Sequence, residues 1–160
     1  MHYLMIRGAE REALLNRLAD MPEFLTARFS GLSPQQSQEP GPGGSFSPVE
    51  HCWHLADLEA EGFGVRIRRL RDEAQPSLPD FDGTLVARER RYRERSLAGG
   101  LEAFRHARRA NLDAVRAIRK AQWLQSGIQA GVGRVTLCDI PHMMAEHDAT
   151  HRSEIETWGL

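Results

Sequence analysis

Apolar residues recur at steps of three and four along most of the chain, which predicts amphipathic helices rather than sheet. Leu14, Leu15, Leu18, Leu25 and Phe29 mark one face of a first helix over residues 5–29, with a kink or break near Met21 because Pro22 cannot donate a backbone hydrogen bond. Residues 31–46, rich in Ser, Pro, Gln and Gly, form a loop. A second helix opens at Ser47-Pro48-Val49-Glu50, which combines an N-cap serine, a first-turn proline and a capping-box glutamate, and it runs to about residue 74. The prolines at 76 and 79 stop it, and Asp80-Phe81-Asp82-Gly83 turns. A third helix is expected in two pieces, residues 85–96 and 101–120, parted by Gly99-Gly100. The loop 122–134 carries three glycines, and a fourth helix spans about 136–158 with Pro141 near its first turn. Residues 132–137 are the only rival as a strand, and they are short and without an evident partner, so none is expected. The pattern therefore predicts an all-α four-helix bundle, one domain over residues 1–160.

Two polar residues interrupt the apolar face of the last helix. Leu137, Ile140, Met144, His147, His151, Ile155 and Trp158 follow one another at helical steps, so both imidazoles point where core side chains should. Histidines on a core face need a partner, and a metal ion would serve both. A third candidate is His54 on the second helix. It lies off that helix's main stripe (Val49, Trp53, Ala56, Ala60, Phe63, Ile67, Leu70), on a narrower one with Leu58, Glu61 and Val65. Either this helix is buried on two faces, one toward the bundle and one toward a partner subunit, which suits a dimer, or His54 lies nearer the surface. His51, His106 and His142 read as surface or capping residues, with His51 the best spare because it lies three before His54.

Three neutral imidazoles suit a divalent ion such as zinc or nickel and leave a coordination position for water or substrate. Asp57, Glu50 and Glu154 neighbour the histidines along their helices and are candidates to orient them. Asp57 and Glu61 are the nearest carboxylates for acid–base work.

Composition narrows the partners. A net charge of -1 argues against nucleic-acid binding by bulk charge. The arginine-rich runs 66–71 and 88–95 read as solvated helix faces laced with ion pairs. No apolar run is long enough for a membrane span, and the first residues lack the apolar run of a secretory signal, so a cytoplasmic protein is expected. With two cysteines no disulfide framework is expected; Cys52 reads as a buried packing residue rather than a nucleophile.

The segment from Phe46 to Glu59, with His54-Leu55-Ala56-Asp57 inside it, resembles the second-helix motif of the DinB/YfiT-like metalloprotein superfamily. The stretch Met144 to Ile155, with His147-Asp148 and His151, resembles its closing motif; Pro79-Asp80-Phe81-Asp82 and residues 104–109 also look familial. Phe46 stands where the family usually has Trp. The resemblance implies a four-helix bundle with a divalent ion, often zinc or nickel, on His54, His147 and His151, and commonly a homodimer. It implies a small-molecule substrate, with either a low-molecular-weight thiol (bacillithiol or mycothiol) as co-substrate in a transferase or water in a metal-dependent hydrolase. The alternatives are a non-catalytic metal- or ligand-binding stress-response bundle, and a plain helical dimer that never binds metal.

Overall fold

The computed structural model describes residues 2–159. In chain order the elements are α1 (His2–Met5), α2 (Gly8–Phe29), α3 (Pro34–Gln38), α4 (Pro48–Asp57), a π-helical turn (Leu58–Phe63), α5 (Gly64–Asp72), β1 (Ser77–Leu78), α6 (Gly83–Glu89), α7 (Leu97–Arg116), β2 (Ser126–Gln129), β3 (Gly133–Thr136) and α8 (Ile140–Glu156). The bundle consists of α2, the continuous α4–π–α5 helix, α7 and α8. Helix α7 packs against α2, α4 and α5, and α8 packs against α2.

Local chemistry sets these boundaries. Glu50 accepts from the Ser47 backbone N–H and from its hydroxyl, both at 2.8 Å, and fixes the start of α4. Helix α2 is not broken by Pro22; Thr26 Oγ1 donates to the Pro22 carbonyl at 2.9 Å. Gly99 and Gly100 do not divide the third helix either. They lie in the first turn of α7, capped by Ser96. A Cβ on Gly100 would sit 2.9 Å from Cys52 Cβ and 3.1 Å from the Trp53 ring, so glycine here lets α7 and α4 approach. The piece before them is shorter than expected, α6 followed by a 3-10 turn over Tyr92–Glu94.

The expectation of no strands is corrected. The discounted run 132–137 contains β3, which pairs antiparallel with β2, and β1 joins β2 in parallel through Ser77↔Ile128 and Leu78↔Gln129. Its partner was hidden by a glycine. A side chain on Gly127 would meet the Pro76 carbonyl at 2.4 Å, so the strand needs glycine where β1 crosses.

Two apolar clusters fill the bundle. One joins Leu14, Leu15 and Leu18 of α2 to Phe63, Ile67, Leu112, Met144 and the strands. The other joins Met21, Leu25 and Phe29 to Cys52, Leu55, Phe104, Ile155 and Trp158. Cys52 is buried there as a packing residue, and burial pushes its thiol far above the ordinary range. At the junction Arg108 is buried and grips Glu59 (2.9 and 3.0 Å), Asp148 (2.6 and 2.9 Å) and the Leu18 carbonyl (2.7 Å). Asn111 adds a bond to the Glu59 carbonyl at 2.7 Å. Glu59 is 1% exposed while Ala60, on the expected stripe, is exposed. Glu59 lies four after Leu55 and three after Ala56, both buried, so ordinary helical spacing turns it inward at the start of the π-helical turn.

Candidate metal centre

Helices α4 and α8 place four histidines face to face. His147 Nε2 lies 3.1 Å from His151 Nε2 and 3.4 Å from His54 Nε2. On the other side of His151, its Nδ1 lies 3.0 Å from His51 Nδ1. The three residues singled out on the sequence are thus brought together, from the last turn of α4 and from successive turns of α8. His54 and Leu58 of the narrower stripe are buried, while Glu61 is exposed and Val65 half-buried. His51 is the correction. It is 1% exposed rather than a surface residue, whereas His106 is exposed as expected and His142 is half-buried.

The geometry fits a single ion. Two nitrogens at zinc-bond length from one tetrahedral centre stand about 3.3 Å apart, close to the 3.1 and 3.4 Å separations found. A donor atom from each of His54, His147 and His151 lies within 4.8 Å of the others. Without an ion, three Nε2 atoms crowd together, and a neutral ring has only one N–H to share among its contacts. Electrostatics keep the rings in ligand form. Burial first, and then the other histidines' charges, push His51, His54 and His147 down to about 3, and burial lowers His151 too. All four are neutral at pH 7, with lone pairs available.

The surroundings hold the rings in place. Phe46 packs at 5.3 Å from His54 and 5.8 Å from His51, Phe81 at 6.1 Å from His54, and Phe63 at 6.3 Å from His147. The backbone of Gly83 presses against His54, where a Cβ would come 2.4 Å from Cε1. A recess of about 380 Å3 opens beside His54 and His147, lined also by Leu58, Phe63, Arg66, Phe81, Met143, Glu146 and Thr150.

The carboxylates are distributed differently from the expectation. Arg90 bonds Asp57 at 2.7 Å and both Glu61 oxygens at 2.8 and 2.9 Å, and the Tyr92 hydroxyl donates to Asp57. Arg90 holds the Glu61 carboxyl below its ordinary range. Glu50 is used by the helix cap and by Arg93 at 3.2 Å. Glu154, expected beside His151, lies 3.7 Å from His51 Nε2. The spacing from His54 hinted at His51, but its contact with His151 crosses from α4 to α8 and no local pattern marks it. The arginine runs are laced with ion pairs as expected, for example Arg69–Glu73 at 2.9 Å, with one exception: Arg66 is buried.

A family model described as the DinB superfamily matches residues 9–155. Among solved structures, YfiT from Bacillus subtilis aligns with a TM-score of 0.84 at 16% identity, over 94% of this chain and 86% of its own. That protein is described as a probable metal-dependent hydrolase with an unusual four-helix bundle topology. No curated protein matches in sequence.

Proposed function

The chain belongs to the DinB superfamily, and from that premise we propose that it is a metal-dependent hydrolase whose single divalent ion, zinc or nickel, is held by His54, His147 and His151. The observation that carries this reading is the convergence of three neutral Nε2 atoms at separations suited to one ion, beside an open recess. The description of YfiT supports hydrolysis in particular. An ion in such a site supplies Lewis acidity and lowers the pKa of a bound water, or holds a thiol as its thiolate.

The chain's own residues do the rest. Phe46, Phe63 and Phe81 pack against the imidazoles and keep water from their flanks. The recess admits a small-molecule substrate toward His54 and His147. Asp57 and Glu61 reach the reaction only if Arg90 releases them, so in this proposal they are reserve acid–base groups.

One observation favours a second reading, transfer of a low-molecular-weight thiol to an electrophile. Hydrolysis benefits from a carboxylate base next to the nucleophile; Asp57 and Glu61 are tied to Arg90, which leaves only the exposed Glu146 among the carboxylates at the recess. A metal-held thiolate needs no such base. A homodimer and a cytoplasmic location accompany both readings; among the described residues no helix is long and apolar enough to cross a membrane.

Metal-loaded protein without a histidine tag, screened on ester and amide substrates and then with electrophiles plus bacillithiol, mycothiol or glutathione, separates the readings. Turnover without thiol that disappears in His147→Ala supports hydrolysis. Turnover that requires a thiol supports transfer. Full metal occupancy with neither activity points to a non-catalytic metal-binding bundle.

A further inference from the structure

Arg66 is an unusual arginine. It is 4% exposed, yet no carboxylate of the described residues lies within ion-pair distance of it. Among the described residues its one hydrogen bond runs from Nε to the Pro79 carbonyl at 3.1 Å, and none of them accepts from the two terminal nitrogens. Its guanidinium lies 5.4 Å from the Phe63 ring centroid, and the side chain lines the recess that holds His54 and His147. The one carboxylate whose charge favours it is the more distant Asp80, and a buried cation without a direct partner is costly. Arg108 shows the contrast in the same molecule: it is equally buried and satisfied by two carboxylates.

We propose that Arg66 is the anion-recognition residue of the recess and that the substrate of the metal site carries a carboxylate, held end-on by the two free nitrogens of Arg66 while its reacting group faces His54 and His147. Guanidinium presents paired donors that match a carboxylate's two oxygens, and Leu58, Phe63, Phe81 and Met143 line the recess beside it, which is otherwise open to solvent. The bond from Nε to Pro79 and the Phe63 ring fix the guanidinium, so little ordering is required when the anion arrives. Glu146 also lines the recess, is exposed, and forms no ion pair with Arg66, so it disfavours a second negative charge without neutralising the first.

This assignment rests on the metal-site reading, and the test separates the two. Zinc-loaded protein is titrated by calorimetry with two hydroxamates of equal length, succinic monohydroxamic acid and butyrohydroxamic acid. Both offer the same metal-binding head; only the first ends in a carboxylate. The expected result is at least tenfold tighter binding of the carboxylate form. In Arg66→Met that preference disappears while butyrohydroxamate affinity is kept, and in Arg66→Lys, which keeps the charge but not the paired donors, it is reduced. Equal binding of both compounds to the wild-type protein overturns the role of Arg66, whether or not the variants fold. Absence of binding by either compound overturns the metal reading, and the substrate assignment falls with it.

Discussion

His51 Nδ1 lies 3.0 Å from His151 Nδ1, joining the buried face of α4 to the histidine pair of α8. This contact fixes tautomers. If His151 offers its Nε2 lone pair to an ion, its proton sits on Nδ1 and is donated to His51 Nδ1. His51 must then carry its own proton on Nε2, the atom 3.7 Å from the Glu154 carboxylate. Ligand histidines are commonly oriented by an acceptor on the other ring nitrogen, and His51 occupies that place for His151.

His51→Leu is therefore expected to weaken zinc binding about 10- to 100-fold. His51→Asn, whose amide oxygen can stand in for Nδ1 as acceptor, should retain most of the affinity. Competition against a chromogenic chelator reads both, and equal affinity of His51→Leu and wild type would sink the orienting role.

Gly83 bears on the same site from the opposite side. In Gly83→Ala the new methyl would fall 2.4 Å from His54 Cε1, so the ring must move. Ligand placement tolerates only about 0.5 Å of error. We expect weaker metal binding with little loss of apo-protein stability, read by the same competition assay and a thermal melt. Unchanged affinity would show that the ring has room to shift without leaving the ligand position.

How much of this was legible in the sequence depends on the distance over which each feature is encoded. His147 and His151 stood out because helical spacing is local and their neighbours Met144 and Ile155 are core residues. The four helices were readable for the same reason, helped by the Ser47 cap, whereas His54 lies off the main stripe of its helix and was singled out chiefly by the motif resemblance of residues 46–59. The burial of Glu59 was not, because a carboxylate three after Ala56 reads as solvated until Arg108 is seen opposite it; the expected stripe took Ala60 inside instead. Gly99-Gly100 looked like a break, and only the packing of α4 shows why glycine is needed within a helix. Strand β3 needed β2, whose Gly127 reads as loop. Arg66 looked like its exposed neighbours, since nothing local distinguishes a buried arginine from a solvated one.

The Glu59–Arg108–Asp148 cluster should make a large contribution to folding once one member is removed. Arg108→Met leaves the buried carboxylates of Glu59 and Asp148 without their cation and is expected to cost about 3–5 kcal/mol, whereas Glu59→Gln, which leaves Arg108 paired with Asp148, should cost less. Urea denaturation of metal-free protein measures it. A loss below about 1 kcal/mol, the worth of a surface pair, would contradict the buried network.

Acid should destabilise the metal-free protein through the histidines. Their native pKa values are lowered, to about 3 for His51, His54 and His147, while unfolded histidine titrates near 6.5. Below that pH the unfolded chain binds more protons than the native one, so stability is fully present above about 6.5 and falls as pH drops toward 3. The slope is about 1.4 kcal/mol per pH unit for each histidine involved. Denaturation midpoints between pH 7 and 5, above the usual carboxylate range, check this; a flat profile contradicts neutral, buried imidazoles.

Metal content tests the central claim most directly. Tag-free protein, purified without chelator and dialysed against zinc or nickel, is analysed by elemental mass spectrometry beside His147→Ala. The account predicts close to one ion per chain in the wild-type protein and loss of that ion in the variant, with its helical signal retained. Less than about a tenth of an equivalent in the wild-type protein, or full occupancy in the variant, would contradict a centre built on His54, His147 and His151.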